Sequence, residues 1–479
     1  MDTTRADRLE VFGGPAKTPA LKALASASII YDHAYTNFSE TGLSHWALLT
    51  GVLPEVHGNV PAAGDSMYTG PTAAELAHDA GYTTAAFIGG VTMLASATGL
   101  QRGFDTYNDQ FPIDAADMKR DGKEVAALAQ QWMAEQSAPW FAFVHVFDAH
   151  FPYTPADPKR YDPDYGGVID GSEGALGGVR DRALPIADAD LAHVRSLYDA
   201  ELSELDATLA PLLAAVPANA IVIVTADHGE SFEHGYLFNH RGSLADGVMH
   251  IPWIVRAPGV AAGHVDAPVS AIDVLPTLVA AAGWRVDAPF MGRSVLPPVT
   301  TQHTVWARTD PWFPFAMARG WTPPLLAART DRWKVVWTGD GAVRAFDMVA
   351  DPGENTEMPP PPELADAKAQ YDAAVKEMAR WQKTVTGKRA VGVTEGQMLE
   401  ALGYTDPAAP QGQNGPPGAP PNGGNGPPGG PPGQSPGGPP GAQGPAGPPP
   451  AGNGGMGPSG GPPPPATGPG GRPLQGIPR

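Results

Sequence analysis

Cysteine is absent from all 479 residues. That excludes disulfides, zinc–thiolate sites and cysteine nucleophiles, and it leaves the cellular compartment open. No apolar run approaches the roughly 18 residues that a membrane-spanning helix requires. The N-terminal stretch "MDTTRADRLEVFGG" lacks the apolar core of a signal peptide. Cations are also scarce, with 31 Lys and Arg against 50 Asp and Glu and a net charge of −19. A surface of that sign repels nucleic acid and anionic lipid, because both are bound by neutralising phosphates with Lys and Arg. An acidic protein holds an anion only through a local device such as a metal ion or a helix N-terminus.

Glycine (59) and proline (55) are abundant, and they crowd into residues 409–479. The glycine spacing there is irregular ("GAPPNGGNGPPGGPPGQ"), so it cannot keep the every-third-residue register of a collagen triple helix. With almost no apolar bulk to offset ordering entropy, this tail reads as disordered and extended. It is either a spacer or a dispensable extension. What precedes it, roughly 400 residues, is enough to bury a large core.

Within that part, apolar β-rich runs alternate with helical patterns. Residues 82–90, 140–147, 220–229 and 251–259 read as buried strands. "PTAAELAHDAG" reads as a helix opening at Pro71 and stopping at Gly81, and residues 187–215 carry apolar side chains at helical spacing. Alternation of this kind predicts an α/β fold, with a largely parallel central sheet flanked by helices. Beyond residue 300, "HTVWARTD", "LAARTDRWKVVWTG" and "GAVRAFDMVADPGEN" read as short antiparallel strands, followed by a helix. The expected organisation is a catalytic domain over 1–300, a small α+β subdomain over 301–408 and the tail from 409.

Two stretches carry candidate chemistry. In "IVIVTADHGESFEHG" an apolar strand ends in Asp227-His228-Gly229. Ligands bind outside the carboxyl ends of strands in open α/β sheets, and a carboxylate beside an imidazole suits a divalent metal. The same pair also suits a helix cap and a surface histidine. In "TGLSHWALLTGVLPEVHGN", Thr41 stands before a helical run, where its hydroxyl serves as a cap, as a nucleophile, or as both.

Taken in order, the motifs resemble those of the sulfatase and alkaline-phosphatase superfamily. "MDTTRADRL" is similar to its first signature. Thr41, Ser44, His45, Leu48, Thr50, Gly51, Pro54, His57 and Gly58 fall in step with its nucleophile loop, with Leu43 where proline is usual. "FVHVFDAHFPYTP" resembles its Asp-Pro-His-x-Pro-Tyr segment, and "TADHGESFEHG", "VSAIDVLPTLVAAAG", "MGRSVLP", "FDMVADPGEN" and "LEALGY" look like later landmarks. The resemblance covers residues 1–406. It implies an alkaline-phosphatase-like fold and a single cation held by Asp2, Thr41, Asp227 and His228. A second ion lacks matching ligands, since Asp148 and His150 are only two residues apart. The donor set suits Mn²⁺, Zn²⁺, Ca²⁺ or Mg²⁺, with the histidine tilting away from the last two.

The departures from the family bear on the ester. Its ordinary members convert a Cys or Ser to formylglycine beside a Pro and an Arg. Here those three positions hold Thr41, Leu43 and His45, and the threonine methyl blocks an aldehyde. A Thr nucleophile suits phosphoryl transfer through a phosphothreonine. By the resemblance, His150 and His240 hold the anion or protonate the leaving group, and His45 positions the anion. His57 reads as structural. His145 and His234 lie near enough in sequence to approach the site, without a role. Trp312, Trp321, Trp333 and Trp337 read as core or rim.

The expected substrate is a small-molecule, lipid or glycan ester of phosphoric acid, mono- or diester. A sulfuric ester is the alternative, and a degenerate surface or binding protein is the second alternative. No nucleic-acid partner and no membrane span are expected, and the oligomeric state is open. In this family an apolar strand precedes the first Asp, so the natural product is expected to begin upstream of Met1. An export signal there would direct it to the periplasm or the exterior.

Overall fold

Six apolar side chains, Val125, Ala129, Val194, Leu197, Phe87 and Val146, meet in the largest apolar cluster among the described residues. They come from two helices and two strand regions, which fixes a helix layer on a sheet. In this computed structural model, residues 1–57, 68–112, 118–297, 304–309 and 319–382 are described. All of them fall in the first of two units, Met1–Pro410. The end of the nucleophile loop (Gly58, Asn59), Trp312, residues 396–406 and the Pro/Gly-rich tail lie outside the described residues.

The first half supplies β1 (Ile29–Tyr31), β2 (Ala34–Tyr35), β3 (Thr83–Phe87), β4 (Thr106–Asn108) and β5 (Trp140–Val144). After the 28-residue helix Asp188–Ala215 come β6 (Val222–Thr225), β7 (Ser231–Glu233), β8 (Tyr236–Asn239), β9 (Trp253–Arg256), β10 (Gly263–Val265) and β11 (Val269–Ser270). Strands β4, β3 and β5 form a parallel sheet in that order. A second sheet has the order β10-β1-β9-β6, in which β1 and β10 are parallel and β9 runs against both of its neighbours. The α/β architecture with parallel pairing is therefore present. The reversed direction of β9 leaves no mark on a sequence of buried apolar strands. Strands β1 and β2, in "IIYDHAY", leave no signal in the sequence, because each is too short to show a period.

Helix Ala73–Asp79 shows how local sequence sets an end. Its cap is Thr72, whose hydroxyl accepts from the Glu75 amide while the Glu75 carboxylate accepts from the Thr72 amide. The expected start at Pro71 is therefore two residues early. A threonine with a glutamate three residues on is the stronger signal, and Pro71 precedes the cap.

Two consecutive residues tie the sheets together. The Met1 nitrogen donates to Thr225 O and the Asp2 nitrogen to Val146 O, each at 2.9 Å. The C-terminal ends of β5 and β6 thus meet across Met1 and Asp2. That junction is where the candidate ligands gather.

Beyond residue 303, β12 (Val305–Arg308), β13 (Leu326–Arg329), β14 (Trp333–Trp337) and β15 (Val343–Asp347) make an antiparallel sheet in sequence order, as the sequence pattern predicts. Helix Ala367–Gln382 packs on it, with Tyr371 against Trp306 at 6.2 Å. Trp321 is buried in one core cluster with Val336 and Phe346, and Trp333 and Trp337 pack half-buried on another, around Ala328, Val335 and Leu364. The sheet is fastened to the first sheets by a buried cation: Lys334 Nζ donates to Glu354 at 2.8 Å, to Asp246 at 3.2 Å and to the Leu244 carbonyl. Among the described residues, no helix is long and apolar enough to cross a membrane.

Candidate active site

Asp227 follows β6 by two residues, so the sheet delivers it to the carboxyl edge. Its Oδ1 accepts from the His228 amide at 2.8 Å and from the Thr3 amide at 3.3 Å. Its Oδ2 is buried and has no hydrogen-bond partner. His228 donates from Nδ1 to the Gly229 carbonyl at 3.0 Å, which leaves Nε2 buried and without a partner, 3.2 Å from Asp227 Oδ2. Asp2, fully buried, accepts from His145 at Oδ2 and leaves Oδ1 without a partner. One ligand atom from each of Asp2, Asp227 and His228 lies within 4.8 Å of the others.

Thr41 opens the helix Thr41–Thr50, but it does not cap it. Glu40 is the cap residue, with extended backbone, and no side chain caps the helix. The Thr41 hydroxyl is buried and unpartnered. The expected capping role of Thr41 is therefore corrected. At the first helical position its side chain lies alongside Asp2 instead of folding back on its own turn. A hydroxyl in that setting loses hydration without compensation, which costs about 1–3 kcal/mol and calls for an explanation.

Burial sets the electrostatics of this cluster. Burial pushes Asp2 up to about 7 and Asp227 up to about 7, and the Asp2 charge adds to the rise at Asp227. Two carboxylates this close repel by about 3 kcal/mol or more at an effective dielectric of about 20. Burial likewise holds His228 down to about 3, so its Nε2 is an unprotonated lone pair. Four atoms, Asp2 Oδ1, Thr41 Oγ1, Asp227 Oδ2 and His228 Nε2, are thus desolvated, electron-rich and unengaged. That donor set fits a divalent cation. Among the described residues it is the one grouping of three or more His, Asp or Glu that does so.

The remaining predicted residues surround this cluster. His45 Nδ1 donates to the Thr41 carbonyl at 2.7 Å and lies 3.7 Å from Asp227 Oδ2. His240 Nδ1 donates to the Ser39 carbonyl at 2.7 Å, and the ring stacks on His228 at 4.0 Å. His150 meets His240 edge-on at 5.6 Å, stacks on Phe147 at 4.3 Å and donates from Nδ1 to its neighbour's carbonyl, leaving Nε2 buried without a hydrogen bond. Burial drives both rings well below the usual histidine range. All seven predicted site residues are brought together.

His57 stands apart, stacked on Trp46 at 6.0 Å. His234, half-buried among Arg319, Glu354 and Glu233, does not join the cluster. Sequence reasoning gave His145 no role, yet its Nε2 lies 3.0 Å from Asp2 Oδ2. The available signal was a histidine inside an otherwise apolar strand run, "FVHVF".

Comparison with known proteins places these features among relatives. Residues 1–284 match the family described as Sulfatase. Human (Homo sapiens) arylsulfatase K is 30% identical over 183 residues, 35% of this chain and 34% of that protein. The chain thus matches about a third of the length of that relative. A choline-sulfatase of Rhizobium meliloti (strain 1021) is 25% identical over 411 residues, 72% of this chain and 78% of that protein. The solved phosphonate monoester hydrolase of Agrobacterium radiobacter shares the fold, with a TM-score of 0.61 and 20% identity over 80% of this chain and 94% of that one.

Proposed function

The chain belongs to the sulfatase family, and we propose that it is an ester hydrolase or transferase acting on phosphoric or phosphonic esters with Thr41 as nucleophile. The observation that carries this reading is the Thr41 hydroxyl, which is buried, unpartnered and at the start of a ten-residue helix. A helix N-terminus favours an anion through its unpaired N–H groups. The lack of any cysteine, together with the threonine methyl, removes an aldehyde route.

Asp2, Thr41, Asp227 and His228 would hold the cation, through the four unengaged atoms described above. A bound divalent ion would neutralise the two carboxylates and the charge developing on the ester and nucleophile oxygens.

The chain's own residues do the rest. Thr41 Oγ1 attacks phosphorus in line, the bond from phosphorus to the leaving oxygen breaks, and a phosphothreonine ester forms. Water or an acceptor alcohol then cleaves that ester. The Thr41 hydroxyl lies beside the Asp2 carboxylate, which would accept its proton as the oxygen attacks. His150 and His240 anchor Nδ1 on carbonyls and turn Nε2 outward from that anchor. Burial keeps both neutral, and an arriving anion favours the protonated form, which then donates to the anion or to the leaving oxygen. His45 positions the anion as a point donor, without the two-pronged grip of an arginine.

Similarity to a choline-sulfatase favours a second reading, in which the ester is sulfuric and Thr41 attacks sulfur. The test is a panel of aryl phosphate, phosphodiester, phosphonate and sulfate esters, run with Mn²⁺ or Zn²⁺. Acid-quenched protein is then examined by mass spectrometry. The expected result is turnover of phosphorus esters, a phosphate on the peptide containing Thr41, and a loss of about 10³-fold or more in Thr41→Ala. Faster turnover of sulfate esters selects the second reading. Unchanged turnover in Thr41→Ala overturns both.

A further inference from the structure

The residue that sequence reasoning passed over holds one of the candidate ligands in place. His145 comes one residue after β5, and its amide donates to the Phe87 carbonyl at 2.9 Å, so the parallel sheet fixes its backbone. Its side chain is buried, 1% exposed. Nε2 lies 3.0 Å from Asp2 Oδ2. In the ionised form that holding a cation requires, Asp2 only accepts, so Nε2 carries the proton and donates it. The other nitrogen, Nδ1, is buried with no hydrogen bond of its own. The ring stands edge-on to His45 at 5.0 Å, and His45 in turn donates to the Thr41 carbonyl. His145 therefore sits between the nucleophile's helix and Asp2.

The consequence lies in which oxygen is left over. Asp2 Oδ2 is spent on His145, and Oδ1 remains unengaged. The same division occurs at Asp227, where two backbone amides take Oδ1 and leave Oδ2. Asp227 is oriented by the backbone amides of Thr3 and His228. Asp2 has a side-chain donor in that role. We propose that His145 is a positioning residue that orients the Asp2 carboxylate so that Oδ1 alone faces the cation, and thereby sets the affinity of the site for it. This rests on the reading of Asp2, Thr41, Asp227 and His228 as a cation site. Groups that orient a ligand in this way typically contribute 10- to 100-fold to metal affinity.

The experiment is calorimetric titration of the full chain with Mn²⁺, without substrate, alongside thermal melts in EDTA. His145→Leu keeps bulk and loses the donor. His145→Gln keeps an N–H donor at similar reach. The expected result is a fall in Mn²⁺ affinity of about 10- to 100-fold in His145→Leu and recovery of most of it in His145→Gln. The EDTA melts of the two variants should differ little from each other. A role in packing alone predicts that Mn²⁺ affinity is unmoved in both, and that result overturns the proposal. So does a His145→Gln variant that melts like wild type and binds Mn²⁺ as weakly as His145→Leu. Asp2→Asn separates the two levels of argument. If Asp2→Asn loses Mn²⁺ while His145→Leu keeps it, only the role of His145 falls. If wild type binds no Mn²⁺, or Asp2→Asn binds it undiminished, the cation site falls and this inference with it.

Discussion

The imidazoles of His228 and His240 stack with centroids 4.0 Å apart and planes inclined by 24°. One ring belongs to the candidate ligand set and the other to the histidine proposed to handle the proton, so the stack joins the two halves of the proposed chemistry. His240→Phe keeps a flat ring in the stack and removes both nitrogens. The expected outcome is a fall in kcat of about 10²-fold or more with Mn²⁺ affinity within about threefold of wild type. Steady-state kinetics and calorimetry on the same preparation check this, and an unchanged kcat rules out a proton-handling role for His240.

Thr41 bears a hydroxyl that no protein group engages. Thr41→Val replaces it with a methyl of similar size, so no cavity opens and a desolvated polar group disappears. The metal-free protein should melt no lower than wild type, against the loss of about 1 kcal/mol that removal of a true N-cap brings. Turnover should disappear in the same variant. Stability and activity moving apart in this way is the signature of a group retained for chemistry. A clear drop in melting temperature returns Thr41 to a structural role.

Burial raises Asp2 and Asp227 to about 7, above their unfolded values near 4. A raised carboxylate favours the protonated folded form, so the stability these groups allow is present below pH about 4 and is lost as pH rises toward 7. A cation displaces those protons and reverses the loss. The increase in melting temperature on adding Mn²⁺ should therefore grow between pH 5 and pH 8. Melts with and without Mn²⁺ at each pH cancel the contributions of the other histidines. A shift that is flat or shrinks with pH contradicts the assignment of these two carboxylates as ligands.

Lys334 is 1% exposed and serves both Asp246 and Glu354. Lys334→Met keeps the aliphatic stem and leaves two carboxylates without their common cation. Breaking a buried ion pair on one side costs about 3–5 kcal/mol. Urea denaturation should report a loss of that size, and Asp246→Asn combined with Glu354→Gln in the same background should recover part of it. A loss under about 1 kcal/mol would show that water reaches the cluster.

Much of this was legible along the chain. Strands over Thr83–Phe87, Trp140–Val144, Val222–Thr225 and Trp253–Arg256 appear where apolar β-rich runs predicted them, the first and last largely buried as expected and the other two only half-buried. The long helix Asp188–Ala215 follows its 3.6-residue pattern. Strands of two or three residues, such as Ala34–Tyr35, stayed hidden because they are shorter than any period that would reveal them. The reversed direction of β9 stayed hidden because strand direction depends on connection and packing.

By itself the sequence determined which atoms are available: an acidic chain without thiols, a threonine at the start of a helical run, and an Asp-His pair at a strand end. Residue types and short-range spacing are local properties, and they survive in a linear reading. Only the tertiary structure decided which atom of each side chain is left over. Asp2 Oδ1 is unengaged because His145, 143 residues away, takes Oδ2. Thr41 is uncapping because Glu40 holds the cap position and Asp2 stands beside its hydroxyl. Those outcomes depend on groups remote in the chain meeting in a site from which water is excluded, and such meetings leave no trace in the order of the residues.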